Sequence, residues 1–359
     1  MKILDKYILK RFLTSFFFVV VVLMAIVVMI DVTEKNEDFI KSGVSFSQIL
    51  FEFYLYYIPY IANMISPLII FIAAVFVTSR MASHTEIIAI LNSGVSFKRF
   101  LLPFVLGSSI VAVATFFLIG WIIPRSNKAM VLFENKYIKD KFYFDGRDVH
   151  IKISPTNYVY LESYNNQIHT GYQFTLENIE NNKLLSKLKA ARILWNKEKN
   201  KWSLEDYQIR NFSGMGKQQI IRGSYMDTTI NLKPSDFESK YLHHETLNFN
   251  ELNAYIADLK ERGAENIEVY EIEKHERYAY PFAVIILTIF GVIVAARKAR
   301  GGTGFQIAIG FILAFVYLIF LVMSRSFATS GAINSMMAAW IPNALFTLIG
   351  LVMYRFMPR

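Results

Sequence analysis

Few residues of this chain stand at spacings that could do chemistry. Glu86 lies in the stretch Arg80–Arg99, RMASHTEIIAILNSGVSFKR. Ser83 three residues earlier fits a capping box with Glu86. Ile87, Ile88, Ile90 and Leu91 then form an apolar stripe, and Gly94 is a natural stop. The pattern predicts a short amphipathic helix over about 83–94, with Glu86 as its exposed acid. Such a helix either lies on a membrane surface or plugs into a partner protein, and the residues alone leave both open. His243-His244-Glu245 is the one place that hints at a metal. Read as a strand, it would send adjacent histidines to opposite faces, and nothing nearby completes a ligand set. Lys35, Lys41 and Arg325 are cations at the ends of apolar runs, where a charged lipid headgroup could be held.

Beyond these, the chemistry is thin. No GxSxG, HExxH, GxxxxGK[ST] or paired-carboxylate cluster occurs. The glycine-rich Arg297–Gly304, RKARGGTG, lacks the Lys-Ser/Thr of a phosphate loop and reads as a tight basic turn. With no cysteine, disulfides and thiolate chemistry are excluded, and any outer domain must hold itself together by packing.

The elements that position these residues are set by hydropathy. Six apolar runs free of Asp, Glu, Lys and Arg occur: Phe12–Ile30, Phe53–Ser79, Phe100–Ile123, Ala279–Ala296, Phe305–Ser324 and Gly331–Met353. Each is close to the roughly 20 residues that a helix needs to cross a bilayer. Between the third and fourth lies a polar block, Ser126–Tyr278. The apolar runs nearly lack ionisable groups, which argues against a proton- or ion-coupled carrier and an intramembrane protease. Pro59 and Pro67 predict a bent second span, and Pro342 a kinked sixth.

Charge orients the spans. The amino terminus, the loops after spans two and four, and the carboxyl tail hold twelve Lys and Arg; the two short loops of opposite sidedness hold three. That asymmetry puts both termini in the cytoplasm and the insert outside. It also explains the net charge of +9 without nucleic acid, since no basic-aromatic binding motif is present. The first run is too long for a signal-peptide core, and no small-x-small site follows it, so it reads as an anchor. The acids after it, Asp31, Glu34, Glu37 and Asp38, read as a solvated outer loop.

In the insert the periodicity turns to alternation. Tyr158–Glu162, Phe174–Glu177 and Lys217–Tyr225 read as strands, and Lys189–Trp195 with Trp202–Ile209 as a hairpin turning at Asn196–Lys201. Short strands with Asn- and Gly-rich turns predict an all-β sandwich, jelly roll or barrel. Asn250–Arg262, stopped by Gly263, reads as an amphipathic helix. Ile267–Tyr280 reads as a solvated helix leading into span four, its charges at i, i+3 and i+4. The expected architecture is a polytopic α-helical membrane protein of six spans with an all-β, jelly-roll-like periplasmic domain between spans three and four. Its divisions are 1–125 (spans one to three and the short helix), 126–248 (β domain), 249–278 (connecting helical segment) and 279–359 (spans four to six).

Several stretches resemble the LptF/LptG family of lipopolysaccharide-export permeases. They are LDKYILK at Leu4–Lys10, SHTEIIAILNSGVSFKRF at Ser83–Phe100, NYVYLE at Asn157–Glu162, the strands around Trp195 and Trp202, EIEKHERYAYPF before span four, and AWIPNALFTLIGLV at Ala339–Val352. The resemblance runs from end to end. The opening LDKYI and the Trp-bearing hairpin look more like the LptG type.

That resemblance implies an inner-membrane permease subunit in a Gram-negative cell, with no catalytic site or cofactor of its own. Its partners would be a dimeric cytoplasmic ABC ATPase that binds ATP, a sister permease, periplasmic jelly-roll bridge proteins and lipopolysaccharide. Glu86, Ile87, Leu91 and Gly94 would form the ATPase-coupling segment. Spans one and five would line the path of the acyl chains. The family tends to carry several basic residues at the outer end of span one, whereas here acids outnumber Lys35 and Lys41. The other function that fits the residues is a non-transporting scaffold or sensor with a ligand-binding outer β domain.

Overall fold

The computed structural model describes residues 3–138, 143–213, 217–237, 243–264, 267–296 and 302–355. The chain forms two compact units. One comprises Met1–Ile138, Leu242–Leu252 and Glu268–Arg359; the other comprises Lys139–Tyr241 and Asn253–Ile267.

Six helices of the first unit are long and apolar enough to cross a membrane. The first, α1 (Ile3–Ser42), is a single helix of 40 residues. It does not end at Asp31, as a solvated outer loop would require. Its apolar run of Val, Ile and Phe continues into a charged turn held by i,i+4 pairs, Lys35 to Asp31 at 2.8 Å and Lys41 to Glu37 at 3.3 Å. Gly43, at φ +66°, then stops it in the left-handed conformation that glycine adopts without strain. Ser45 and Gln48 make a reciprocal capping box that opens α2 (Phe46–Gln48), which runs into a π-helical turn, Ile49–Tyr54.

The second span is broken rather than gently bent. It consists of α3 (Leu55–Met64) and α4 (Ser66–Ser83), interrupted at Ile65. Pro67 causes the restart: it lacks an N–H and clashes with the preceding turn, so it sits in the first turn of α4. The short α5 (Glu86–Asn92) follows, then α6 (Phe97–Phe117), a second π-helical turn at Leu118–Ile122, and α7 (Ile123–Tyr137). A β domain starting at residue 126 is therefore displaced: helix continues to Tyr137, and the first strand begins at Arg147.

After the insert come α8 (His243–Thr246), α9 (Phe249–Arg262), α10 (Ile267–Ala295), α11 (Gly302–Thr329) and α12 (Ser335–Arg355). The predicted basic turn falls largely on residues 297–301, outside the described residues. Two clusters of side chains share α4 and α10. In one, Ile69, Ala73 and Val77 meet Phe12, Phe104 and Val292; in the other, Phe71 and Val75 meet Phe290, Tyr317 and Phe346. Gly291 lets α10 approach α4 closely, since a β-carbon there would stand 3.1 Å from the Phe71 carbonyl oxygen. Small residues serve this purpose where van der Waals packing drives association in lipid. At the proline of α12, Asn343 is buried, donates to the Ala279 carbonyl at 2.9 Å and accepts from Tyr317 at 3.0 Å. Both bonds spare a buried amide the cost of an empty partner.

The second unit is a six-stranded antiparallel sheet: β1 (Arg147–Lys152), β2 (Asn157–Asn165), β3 (Thr170–Glu180), β4 (Lys183–Asn196), β5 (Lys201–Ser213) and β6 (Lys217–Thr228). Each strand pairs with its sequence neighbours in the order β1-β2-β3-β4-β5-β6. The described strands thus form a meander, without the Greek-key crossovers of a closed jelly roll. The β4–β5 turn follows from local chemistry: the Asn196 side chain accepts from the backbone of Glu198 and Lys199, and Asn200 takes a positive φ. This sets the register that pairs Trp195 with Trp202. Alternating residues bury one face, including Val159, Leu161, Phe174, Ile193 and Leu204. Trp202 donates its indole N–H to the Leu232 carbonyl at 2.7 Å, and Tyr164 stacks on Phe237 at 3.9 Å.

Candidate functional site

The acid that stood out in the sequence begins α5. Thr85, at φ 58°, precedes it and makes no side-chain cap. Ser83 is not the cap: it ends α4, and its hydroxyl donates to the Arg80 carbonyl at 2.9 Å. The helix is accordingly seven residues long, closed by Gly94 at φ +84°. Ile87 is buried among side chains of α1, α4 and α6, and Leu91 packs against the same cluster, while Ile88 stays exposed.

Glu86 is not a free exposed acid. The Arg11 guanidinium lies 3.2 Å from it, and the Tyr7 hydroxyl donates from 3.4 Å. Arg11 and Tyr7 stand one turn apart on α1, so a single face of that helix holds the acid. A second pair flanks the first: buried Asp5 of α1 accepts from Arg99 of α6 at 2.5 Å. The end of α1 is therefore tied on both sides of α5. Glu86–Arg11 thus joins α5 to α1, and Asp5–Arg99 joins α6 to α1.

The other end of that linkage is the apolar surface of α1. In its most apolar window only 11% of residues are buried, and in that of α11 22%, against 78% for α4 and 61% for α10. Phe17, Phe18 and Val21 on α1, and Ile312, Phe315 and Val322 on α11, are open. These are the first and fifth spans.

The three headgroup candidates are each paired within the chain. Lys35 lies 2.8 Å from Asp31 and 3.7 Å from Glu134, and 4.4 Å above the Phe53 ring. Asp31 is itself buried and accepts from the Tyr54 hydroxyl at 2.9 Å. Lys41 makes only the exposed pair with Glu37. Arg325 stands on α11 rather than in a loop, 3.4 Å from Glu276 and 4.0 Å from Glu273 of α10.

That last contact belongs to a network the sequence concealed. Arg277 is almost fully buried; it pairs with Glu273 at 2.8 Å and donates to the carbonyls of Leu247 and His244. The charged turns of Ile267–Tyr280 are thus packed inside the unit, contrary to a solvated helix. His243 and His244 share one helical turn instead of facing opposite sides of a strand. Burial lowers the His244 pKa, so the ring is held neutral beside Arg325, and burial raises that of Glu245. Among the described residues no group of three or more His, Cys, Asp or Glu is placed to hold a metal ion.

The family model described as lipopolysaccharide export system permease LptF/LptG matches residues 6–355. The chain therefore belongs to that family and is an inner-membrane transporter component. The family covers both sister types and does not separate LptG from LptF. No curated protein matches the chain.

Proposed function

We propose that this LptF/LptG-family permease works as one half of an ATP-driven exporter that lifts lipopolysaccharide out of the inner membrane. Two sister permeases face each other through the open sides of α1 and α11, and acyl chains enter between them. A pair of cytoplasmic ABC ATPases docks on α5, whose Glu86–Asn92 segment carries the stroke to α1 through Glu86–Arg11. The sheet unit lies in the periplasm and hands the lipid to bridge proteins of similar β architecture. The excess of Lys and Arg in the terminal segments and the loops after spans two and four supports this sidedness.

The observation that carries the reading is the low burial of the first and fifth spans against the packed second and fourth. Removing an acyl chain from lipid into water costs roughly 0.8 kcal/mol per CH₂, so extraction needs both an apolar path and outside work. The open faces supply the first, and the chain has no phosphate loop to supply the second. Neutralised Lys35 and Arg325 make a simple cationic clamp on phosphate a poor fit; headgroup contacts fall to Lys41 and to the sister subunit.

The test is gentle purification of the tagged chain with identification of bound protein and lipid. Co-purified ATPase, sister permease and lipopolysaccharide, with the ATPase lost on Glu86→Lys, is the expected result. A chain that purifies alone, without glycolipid, sinks the proposal and leaves the scaffold or sensor.

A further inference from the structure

The first unit holds a half-open cavity of about 400 Å³, lined by the broken second span, α7, α8, α10, α11 and α12. Its walls are mostly apolar, with Leu68, Ile119, Leu321 and Ala339 among them. Its polar groups converge from different elements, the composition of a small-molecule site. They are unbalanced in charge: Glu245, Glu273 and Glu276 face it with only Arg277 and Arg325 in return. Glu273 and Glu276 are taken by those two guanidiniums. Glu245 has no Lys or Arg within ion-pair distance among the described residues. It holds the Asn127 amide at 3.3 Å and lies 3.8 Å from the neutral His244 ring. Burial, with Glu273 nearby, pushes its pKa up, against a hydrogen bond from Tyr60 and the more distant Arg325 and Arg277, which pull it down.

Two further observations call for a donor in the same place. Asn127 is completely buried, and its side-chain oxygen has no hydrogen-bond partner among the described residues. Its amide nitrogen is already committed to Glu245. An orphaned buried acceptor is costly, and here it sits at the cavity wall beside the acid. The break at Ile65 also delivers the carbonyl end of α3 to the cavity: the Tyr280 hydroxyl donates to the carbonyls of Asn63 and Met64, and the Asn63 side-chain oxygen has no partner. Carbonyl ends of interrupted membrane helices bear partial negative charge and suit cations. Two buried acceptors, the side-chain oxygens of Asn63 and Asn127, are thus left without a donor among the described residues.

We propose that this cavity binds an amphiphile bearing one primary ammonium group, the ammonium at Glu245 and the Asn127 oxygen and its apolar part along α11. A positive charge held against Glu245 favours the ionised form that burial disfavours. The N–H donors of an ammonium suit the acid and the unpartnered Asn127 oxygen beside it. The volume is far more than one water's share of about 30 Å³ and is set in apolar walls, which selects an alkylated amine over a bare ion. The ammonium can come from a membrane aminophospholipid or from a free alkylamine. The site lies within one subunit and does not depend on the export reading.

The probes are octylammonium chloride, 1-octanol and octyl sulfate, added below micelle formation to the purified full chain in detergent, with the thermal midpoint as readout. Octylammonium is expected to raise the midpoint saturably, octanol and octyl sulfate not, because only a ligand of the folded state stabilises by mass action. Glu245→Gln and Asn127→Leu are each expected to weaken the octylammonium response at least tenfold. The contrast between amine and alcohol on the unaltered chain stands even if a variant fails to fold. Equal shifts by octanol and octylammonium, or an undiminished response in both variants, overturn the proposal. Nanodiscs of phosphatidylethanolamine and of phosphatidylcholine identify the source. Retention of phosphatidylethanolamine alone through native mass spectrometry, lost in Glu245→Gln, assigns the site to the lipid; no retained lipid with a persisting octylammonium response assigns it to free amines.

Discussion

Helices α1 and α4 are both apolar enough to span a membrane, and the structure uses them in opposite ways. Nearly four in five residues in the α4 window are buried, against about one in nine for α1. The difference lies in side-chain size and neighbours. α4 alternates Ala73, Ala74 and Ser79 with Ile69, Phe71 and Val77, so helices on either side can close on it. α1 presents Phe17, Phe18, Val21 and Val22 on its open side and packs through Ile8, Phe12, Phe16 and Met24 on the other. Apolarity places a helix in lipid; the distribution of small residues decides whether protein or lipid covers it.

The largest expected effects break the packed helix. Phe71→Ala removes a fully buried ring wedged against Phe290, and should cost roughly 3–5 kcal/mol of stability. Phe315→Ala, on an open face of α11, should change stability by less than about 0.5 kcal/mol. Unfolding midpoints of the two variants in one detergent make the comparison; equal losses would mean that the open faces are covered within the chain. The same contrast holds for charge. Arg277→Gln removes the 2.8 Å partner of Glu273, leaving it only Arg325 at 4.0 Å, and should cost about 3–5 kcal/mol. Lys41→Gln, whose pair with Glu37 is open to solvent, should leave the midpoint unchanged.

How much of this was legible depends on whether the decisive partner is near in sequence. The β4–β5 hairpin could be read because Asn196 and Asn200 supply the turn and two tryptophans flank it. The six spans could be read because length and apolarity are local properties. The continuation of α1 beyond Asp31 could not: the lysine four residues on marks a helix, but the buried aromatic wall of Phe53 and Tyr54 that accepts the pair comes from another element. Glu273 and Arg277 have the spacing of an ordinary surface pair, and only the carbonyls of Leu247 and His244, some thirty residues earlier, distinguish them. Glu86 was found by its local setting and its neighbour Arg11 was missed, since 75 positions separate them. Ser83 met the capping-box spacing, yet α4 retained it, and the chain turned two residues later through the left-handed Thr85.

The tie between Glu86 and Arg11 sharpens the comparison where stability is least involved. Both side chains are part-exposed, at 32% and 22%, so Glu86→Gln should cost no more than about 0.2–1 kcal/mol. If α1 moves with α5 through this pair, the charge swap of Arg11→Glu with Glu86→Arg should restore lipid release that either single change abolishes, at unaltered midpoint. A swap no better than the singles would mean that Glu86 serves the partner rather than α1.

The smallest effect separates the sheet unit from the helices. Asp227 on β6 accepts from Lys199 at 2.7 Å and Ser203 at 2.8 Å, and these bonds hold its pKa at about 2, below the ordinary 3.8. A carboxylate depressed on folding adds stability above its unfolded pKa and loses it as pH falls through the folded one. Its contribution should therefore be complete at pH 5, decline from about pH 4 and vanish only below pH 2. The difference in midpoint between the unaltered chain and Asp227→Asn, followed from pH 5 to pH 2, should shrink over that interval. Because the group is at the surface of the sheet, the change should appear in a probe of Trp202 and not in one reporting on α4. A shift shared by both would mean that the two units unfold as one.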